Sequence, residues 1–309
     1  MSKPRILVTG ATGKTGTPVV RLLRERGFPV RAFVHQLDGR SEQLQALGAE
    51  VAVGDFLDLA SVRKAMQGIE RVYFCYPPQG DRLLEATTHI AVAARDEGVE
   101  AVVNMSQISA REKAKSPLAH HHWLSEQVFD WAGIGASHIH PTFFTEDIYL
   151  FTGDSIAREG KIYLPFGDGT HAPVSAEDIA RVVVGMLADP EPHVGKHYVL
   201  TGPRDMKIEE MAEVLSEVLG QPVDYVNVPI EKWRTALVER MGHPEFLATH
   251  LAAVAQDHQD GIFSAETDVV EKIGGQAPQS LEDFVRSHLD MFQGDPSVIP
   301  QLGSGPING

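Results

Sequence analysis

The chain has 309 residues, 43% of them hydrophobic, and a formal net charge of -15 at pH 7. A chain of this length and apolar content buries a large core, and we predict a nucleotide-binding domain with a smaller appended lobe. Acidic residues outnumber basic ones by 42 to 27, and no run of Lys and Arg is present that would follow a phosphate backbone, so nucleic acid is excluded as a partner.

The chain begins with a short apolar strand that runs into three glycines spaced three residues apart. The first supplies backbone freedom for a sharp turn, the second lets a pyrophosphate approach the main chain, and the third lets a helix beginning near Lys14 pack closely on the sheet. Backbone N–H groups and the helix dipole favour an anion there. This context predicts a dinucleotide site that contains Gly10, Thr12, Gly13, Lys14, Thr15 and Gly16.

Strand-like and helix-like segments then alternate as far as residue 140. Most of the strands are near-continuous apolar runs, which is typical of a parallel sheet covered on both faces. The pattern predicts an α/β fold with a doubly wound parallel sheet of the Rossmann type. We predict strands over 30–34, 50–53, 71–75, 101–105 and 137–140, and helices over 41–46, 60–66, 83–97 and 118–131.

The second half is less regular. We predict a strand and tight turn over 160–169, a helix over 175–187 capped by Ser175, a strand over 197–200 that returns to the sheet, and two or three amphipathic helices from Lys207 onward, including 208–219 and 231–241. The expected domains are a dinucleotide-binding domain over 1–150, a mainly helical substrate lobe over 151–294 and a flexible tail over 295–309.

Ligands of doubly wound folds bind outside the carboxyl ends of the strands. After the second strand, the position where an NAD enzyme usually has an acidic residue is His35, with Arg31, Arg40 and Lys14 nearby. This charge favours a 2′-phosphate and hence NADP(H), although Asp38 would still serve the ribose of NAD(H).

The loops after the third and fourth strands complete the predicted nucleotide site. Asp55 offers a carboxylate for the adenine amino group, and Phe56 offers a ring beside the base. Tyr76 and Pro77 would line the nicotinamide ribose. We expect Pro141 and Phe143, which end the sixth strand and follow it, to bind the cofactor as well.

These segments together resemble the NmrA-like branch of the atypical short-chain dehydrogenase/reductases, and the likeness extends over most of the chain. The resemblance implies an NAD(P)(H)-binding protein that is either a reductase of quinones, azo dyes or related electrophiles, or a non-catalytic sensor of nucleotide redox state. The matching segments are 8–16, 54–58, Pro77-Pro78, Asn104-Met105-Ser106, the helix containing Glu126, 141–144 and 174–180.

Short-chain dehydrogenases usually protonate the substrate oxygen with a Tyr placed four residues before a Lys. Counting back from Glu126, the Lys position holds His122 and the Tyr position holds Leu118, so the usual donor is absent. This favours direct hydride transfer into a conjugated acceptor, with positioning by Ser106 and His122. His122 would supply a proton and hold the ribose; the alternative is a helix-face histidine bonded to Glu126.

Metal and flavin are not predicted. Three consecutive helical residues, as in His120-His121-His122, point about 100° apart and do not converge on one ion. His138 and His140 share a strand face, but no carboxylate or cysteine completes an evident set in the sequence, and His140 is where the resembling branch often has Arg.

The leading hypothesis is an NAD(P)H-dependent oxidoreductase that reduces a quinone-like or azo-like acceptor, with Phe144, Tyr149 and Trp123 as walls of the substrate pocket. The alternative is that these aromatic residues pack in the hydrophobic core. The alternatives are a redox-sensing regulatory protein, which would have a protein partner, and a biosynthetic reductase of an iminium or enone. A homodimer is also possible.

Cys75 is the only cysteine, which excludes an intramolecular disulfide and favours a reducing cytoplasm. No charged segment followed by an apolar one opens the chain, and no apolar run is long enough to span a bilayer. We therefore expect a cytoplasmic protein without a signal peptide or membrane anchor.

Overall fold

The computed structural model describes residues 3–78 and 80–292, so the predicted tail over 295–309 lies outside the described residues. The strands of the described chain are β1 (Ile6–Val8), β2 (Val30–Val34), β3 (Glu50–Val53), β4 (Arg71–Phe74), β5 (Ala101–Met105), β6 (Ala136–Pro141), β7 (Lys161–Leu164), β8 (Thr170–His171), β9 (His197–Leu200), β10 (Met206–Lys207) and β11 (Asp224–Asn227). The helices are α1 (Gly16–Glu25), α2 (Gly39–Ala46), α3 (Leu59–Met66), α4 (Leu83–Glu97), α5 (Pro117–Ala132), α6 (Thr145–Glu159), α7 (Ala176–Ala188), α8 (Ile208–Leu219), α9 (Ile230–Glu239), α10 (Glu245–Gln259), α11 (Val269–Gly274) and α12 (Leu281–Ser287).

These elements form two compact units. The first unit comprises the described parts of Met1–Pro141, Ala176–Leu200 and Thr267–Ala277, and the second comprises those of Thr142–Ser175, Thr201–Glu266 and Pro278–Gly309. The units differ from the predicted ranges 1–150 and 151–294, because α7, β9 and α11 pack with the sheet of the first unit while α6 packs with β7 of the second.

The first unit is built on a seven-stranded sheet in the order β3-β2-β1-β4-β5-β6-β9. All of its neighbouring strands are parallel. Every residue of β1, β2 and β5 is buried, as expected of strands covered on both faces. The predicted doubly wound α/β fold is confirmed. The strand order reverses between β1 and β4, and this is the place where such sheets bind ligands.

Helices cover the sheet on its two sides. Helix α1 packs on α7, and α4 packs on both α3 and α5. Asp38 and Asp58 begin α2 and α3 by accepting hydrogen bonds from backbone N–H groups of the first helical turn. Ser116 caps α5 in the same way, and Pro117 follows it where a missing N–H costs nothing.

The second unit has two small sheets and most of the helices that follow Lys207. Strand β7 pairs in parallel with β11, and β8 pairs antiparallel with β10. Its core includes Tyr149, Phe166 and Trp233. Five helices follow Lys207 in the described chain, α8 to α12, where the sequence predicted two or three. No helix of residues 3–78 and 80–292 combines the length and apolar character needed to cross a membrane.

The helix α5 offers a test of the core packing of the first unit. Phe129 is fully buried and meets the Phe74 ring edge to face at 5.3 Å between centroids, whereas Trp131 on the same helix is 76% exposed. Phe129→Ala should lower the free energy of unfolding by about 3–5 kcal/mol, because it leaves a cavity. Trp131→Ala should change it by less than about 0.5 kcal/mol. Urea unfolding followed by circular dichroism measures both; similar losses would contradict this description of α5.

Candidate cofactor site

The loop between β1 and α1 is shaped by two glycines that no other residue replaces without strain. Gly10 has a φ of +57°, and a Cβ there would lie 2.9 Å from the carbonyl oxygen of Cys75. A Cβ on Gly16 would lie only 2.1 Å from the carbonyl oxygen of Gly10. The start of α1 therefore lies directly against the main chain that leaves β1. This contact aims the amino end of the helix, the positive end of its dipole, at the carboxyl end of the sheet.

Gly13 differs from these two because it is exposed. The nearest heavy atom to a Cβ built on it is the Gly10 carbonyl oxygen at 3.1 Å, and no other lies within 4 Å. The N–H of Gly13 itself donates to that oxygen over 2.9 Å. Gly13 thus keeps the outer face of the loop bare, which is the shape that a close approach by a phosphate requires.

The other predicted loop residues do not all face outward. Thr15 is 4% exposed, and its hydroxyl is hydrogen bonded to the Tyr73 hydroxyl at 2.8 Å. Thr12 and Lys14 are half-buried. The hydroxyl of Thr15 therefore ties α1 to β4 inside the unit, a long-range contact that the local glycine pattern does not reveal.

The basic residues near the end of β2 separate into two groups. Arg31 is 8% exposed, donates to the carbonyl oxygens of Ala65 and Gln67 at 2.8 and 2.7 Å, and pairs with Glu50 at 2.9 Å. It is therefore committed to β3 and the end of α3. His35 and Arg40 are exposed.

Arg40 is held by its neighbour in sequence, Asp38. The guanidinium lies 2.7 Å from the Asp38 carboxylate, and this hydrogen bond lowers the pKa of Asp38. The same carboxylate accepts from the N–H groups of Arg40 and Ser41 at the start of α2. Asp38 is thus engaged in capping, and the cation beside it is fixed on the surface near the end of β2.

The residues after β3 form a small aromatic platform. The Asp55 carboxylate is exposed and accepts from the N–H of Leu57 at 2.8 Å, which fixes its orientation. The Phe56 ring meets three others, those of Phe33, Phe74 and Tyr76, at centroid distances of 5.3, 5.9 and 5.5 Å. The structure therefore brings Phe56, which follows β3, against Tyr76, which follows β4, although β2 and β1 separate these strands in the sheet.

Tyr76 and Pro77 follow β4 beside the strand reversal. Burial raises the pKa of Tyr76, and its ring occupies the space where a Cβ on Gly80 would lie, 2.6 Å away. Pro77 is exposed. A packed phenol ring next to an exposed proline forms a firm wall at the end of β4.

The sequence analysis did not predict that a buried carboxylate, that of Glu126, lies at the centre of a polar cluster. Glu126 on α5 is 2% exposed and accepts from the Ser106 hydroxyl, which is itself 4% exposed. His140 Nε2 lies 3.0 Å from one oxygen of Glu126, and His197 Nδ1 lies 3.5 Å from the other. Burial acts to raise the pKa of Glu126, but the contact with His140 and the hydrogen bond from Ser106 outweigh it, so the pKa is lowered. Glu126 is therefore ionised at neutral pH.

The remaining predicted residues of α5 lie on the same helix. Leu118, at the position of the usual tyrosine, is 2% exposed and belongs to the core. His122, at the lysine position, is half-buried. The Trp123 ring stacks on His120 at 5.7 Å between centroids, so this side chain has a neighbour on its own helix.

The predicted residues after β6 divide between the units. Pro141 ends β6 in the first unit, whereas Phe143, Phe144 and Tyr149 belong to the second. Phe143 stacks on Phe263 at 4.8 Å between centroids. Tyr149 is 5% exposed and stacks on Phe284 at 6.2 Å, which makes it a core residue of its unit.

A parallel sheet with a glycine loop at its strand reversal defines a dinucleotide-binding α/β protein of the doubly wound class. The chain belongs to the NmrA-like family, whose model matches residues 2–285. It is 31% identical to an NAD(P)H azoreductase of Xenophilus azovorans over 293 residues, covering 93% of this chain and 99% of the relative.

Two solved structures are similar over nearly their whole length. The triphenylmethane reductase of Citrobacter sp. complexed with NADP(H) is 28% identical with a TM-score of 0.81, and the match covers 91% of this chain and 99% of that one. The NADPH-dependent quinone oxidoreductase QOR2 of Escherichia coli complexed with NADPH is 25% identical with a TM-score of 0.82, covering 92% and 99%.

The close contact at Gly16 can be tested against a glycine in open space. Gly16→Ala should destabilise the protein by about 2 kcal/mol or more, because backbone has to move to admit the methyl group. Gly39, the first residue of α2, has no heavy atom within 4 Å of a Cβ built on it. Gly39→Ala should leave the stability unchanged or raise it by up to about 1 kcal/mol. Chemical unfolding of the two variants checks this, and a tolerant Gly16 would contradict the loop geometry.

Proposed function

We propose that the protein is an NAD(P)H-dependent reductase that passes hydride directly to a planar conjugated acceptor of the quinone or azo class. The observation that carries the proposal is the β1–α1 loop, where a bare Gly13 and the contact at Gly16 leave room for a pyrophosphate at a helix N-terminus. The names of the azoreductase, triphenylmethane reductase and quinone oxidoreductase relatives support the same chemistry.

The loops after β3 and β4 fit different parts of the nucleotide. Asp55 and Phe56 suit the adenine, one as a hydrogen-bond acceptor and the other as a ring against the base. Tyr76 and Pro77 suit the nicotinamide half, because they follow the strand on the other side of the reversal. Lys14, His35 and Arg40 suit a 2′-phosphate, which favours NADP(H) over NAD(H).

The proposed reaction class follows from the absence of the usual tyrosine from α5. Bound NADPH would supply a hydride, and with one further proton it would convert a quinone to a hydroquinone or an azo group to a hydrazo group. Such acceptors spread the developing charge over a conjugated system, so they need less help from a strong proton donor than a ketone does. The apolar, buried Leu118 in place of a tyrosine suits these acceptors.

His122 is the residue that we propose as the proton source, since an imidazole exchanges protons near neutral pH. Ser106 suits a different role. Its hydroxyl proton is directed to the Glu126 carboxylate, so towards a ligand the oxygen would act as an acceptor, for example of the nicotinamide amide. Glu126 would thus position Ser106 and fix the direction of its proton.

An acceptor panel tests the reductase directly. Purified protein is mixed anaerobically with NADPH or NADH and with quinones, azo dyes and iminium compounds, and the loss of reduced-nicotinamide absorbance is followed. We expect rapid oxidation with quinones or azo dyes. Gly13→Val is the matched inactive control, because a side chain there fills the bare face of the loop, where its Cβ meets only the Gly10 carbonyl oxygen at 3.1 Å. It should lose NADPH binding yet unfold like the wild type.

Other outcomes of the panel separate the alternatives. Tight NADPH binding without oxidation by any acceptor would contradict the enzyme and favour a redox sensor. Oxidation by iminium compounds alone would favour the biosynthetic reductase. Unchanged NADPH affinity in folded Gly13→Val would overturn the assignment of the loop.

Substitution of two exposed arginines, Arg40 and Arg63, tests the preference for NADP(H). Arg40→Ala should weaken NADPH binding by about tenfold or more and leave NADH binding nearly unchanged, because only NADPH offers a phosphate to a guanidinium. Arg63 is a matched control, since it makes a similar exposed ion pair with Asp96 at 2.8 Å on another helix. Arg63→Ala should affect neither affinity. Isothermal titration of both cofactors checks this, and equal losses for NADPH and NADH would contradict the role of Arg40.

A further inference from the structure

Three elements of the first unit bring imidazole and carboxylate groups together at the edge of the sheet. His138 and His140 lie two residues apart on β6 and share a face, and His197 on the edge strand β9 is paired in register with His138. Glu126 and Asp130 lie one turn apart on α5. Two sets of three ligand atoms each fall within 4.8 Å of one another: Glu126, His140 and His197, and Asp130, His138 and His197.

The set with His138 is committed to hydrogen bonds. Asn104 Nδ2 lies 3.0 Å from His138 Nδ1, and since an amide nitrogen only donates, Nδ1 accepts. The ring proton is therefore on Nε2, which donates to Asp130 at 3.1 Å. Both ring nitrogens of His138 are therefore engaged in hydrogen bonds. A metal ion here would have to break this chain of bonds.

In the set with Glu126, two imidazole nitrogens face the two oxygens of one carboxylate. His140 Nε2 and His197 Nδ1 lie 3.0 and 3.5 Å from the two oxygens of Glu126. Neighbouring ligands around a tetrahedral zinc ion, with bonds of about 2.0–2.1 Å, are about 3.4 Å apart. His140 Nε2 is shielded from solvent and faces a Glu126 oxygen, but the contact does not have the geometry of a regular hydrogen bond.

We propose that Glu126, His140 and His197 form a binding site for a divalent transition metal ion of the zinc class. Two imidazoles and one carboxylate are ligands that suit Zn²⁺, Co²⁺ and Ni²⁺, and water would complete the coordination. The His197 side chain is 42% exposed and offers an entry path, whereas Glu126 is 2% exposed and brings a negative charge that a cation would compensate. The ion would join α5, β6 and the edge strand β9.

The test uses the full chain after treatment with a chelator. Co²⁺ is titrated in and followed by its visible absorption, and Zn²⁺ is then added as competitor. We expect one equivalent of Co²⁺ to bind with the spectrum of a four- or five-coordinate ion, Zn²⁺ to displace it, and Zn²⁺ to raise the midpoint of thermal unfolding. His197→Asn, at a partly exposed position, should fold normally and lose at least about tenfold in affinity, as expected for removal of a ligand.

Two controls locate the site. His193→Asn changes another histidine just before β9 and should bind the metal like the wild type. Asp130→Asn should also bind normally, because its amide oxygen still accepts from His138. Loss of binding in Asp130→Asn would assign the metal to the other set and overturn the proposal. No stoichiometric binding by the wild type, or binding unaffected by His197→Asn, would show that the cluster only holds Glu126 through local contacts. None of these readouts depends on reductase activity.

Discussion

The first unit depends on one backbone contact, the approach of Gly16 to the carbonyl of Gly10. No Cβ fits between them, since it would lie 2.1 Å from that oxygen. The contact fixes where α1 begins relative to the buried strand β1, and so it fixes where the positive end of the helix dipole lies. Every other feature of the nucleotide site follows from loops that end at the same edge of the sheet. The proposed dinucleotide site is therefore a property of main-chain geometry first and of side chains second.

Much of the sheet was predictable because its signal is local. Strands covered on both faces read as unbroken apolar runs, and β2, β3, β5 and β9 begin and end at the predicted residues. The second unit was less predictable. Its helix α10, Glu245–Gln259, was missed, and strands such as the two-residue β8 and β10 exist only because distant segments pair. Pairing between residues 170 and 207 leaves no periodicity for a local analysis to detect.

The candidate site shows the same division between local and distant information. The glycine loop was predictable from its spacing between an apolar strand and a helix, whereas the inward hydroxyl of Thr15 and the burial of Arg31 depend on partners far along the chain. The cluster around Glu126 was missed because its members come from α5, β6 and β9. A signal was nevertheless present, since Glu126 and Asp130 are spaced by one helical turn, and His138 and His140 alternate on the next strand.

Glu126 connects two groups that the sequence analysis considered separately: Ser106 of the proposed cofactor site and the histidines at the edge of the sheet. A carboxylate buried to this extent is stable as an anion only if hydrogen bonds or positive charge compensate it. Ser106 supplies a hydrogen bond from the side of β5, and the imidazoles of His140 and His197 approach from the sheet edge. A group that binds the carboxylate from the histidine side would therefore share its charge with Ser106. The direction of the Ser106 proton, and with it the character of that hydroxyl towards a ligand, is set by the Glu126 carboxylate.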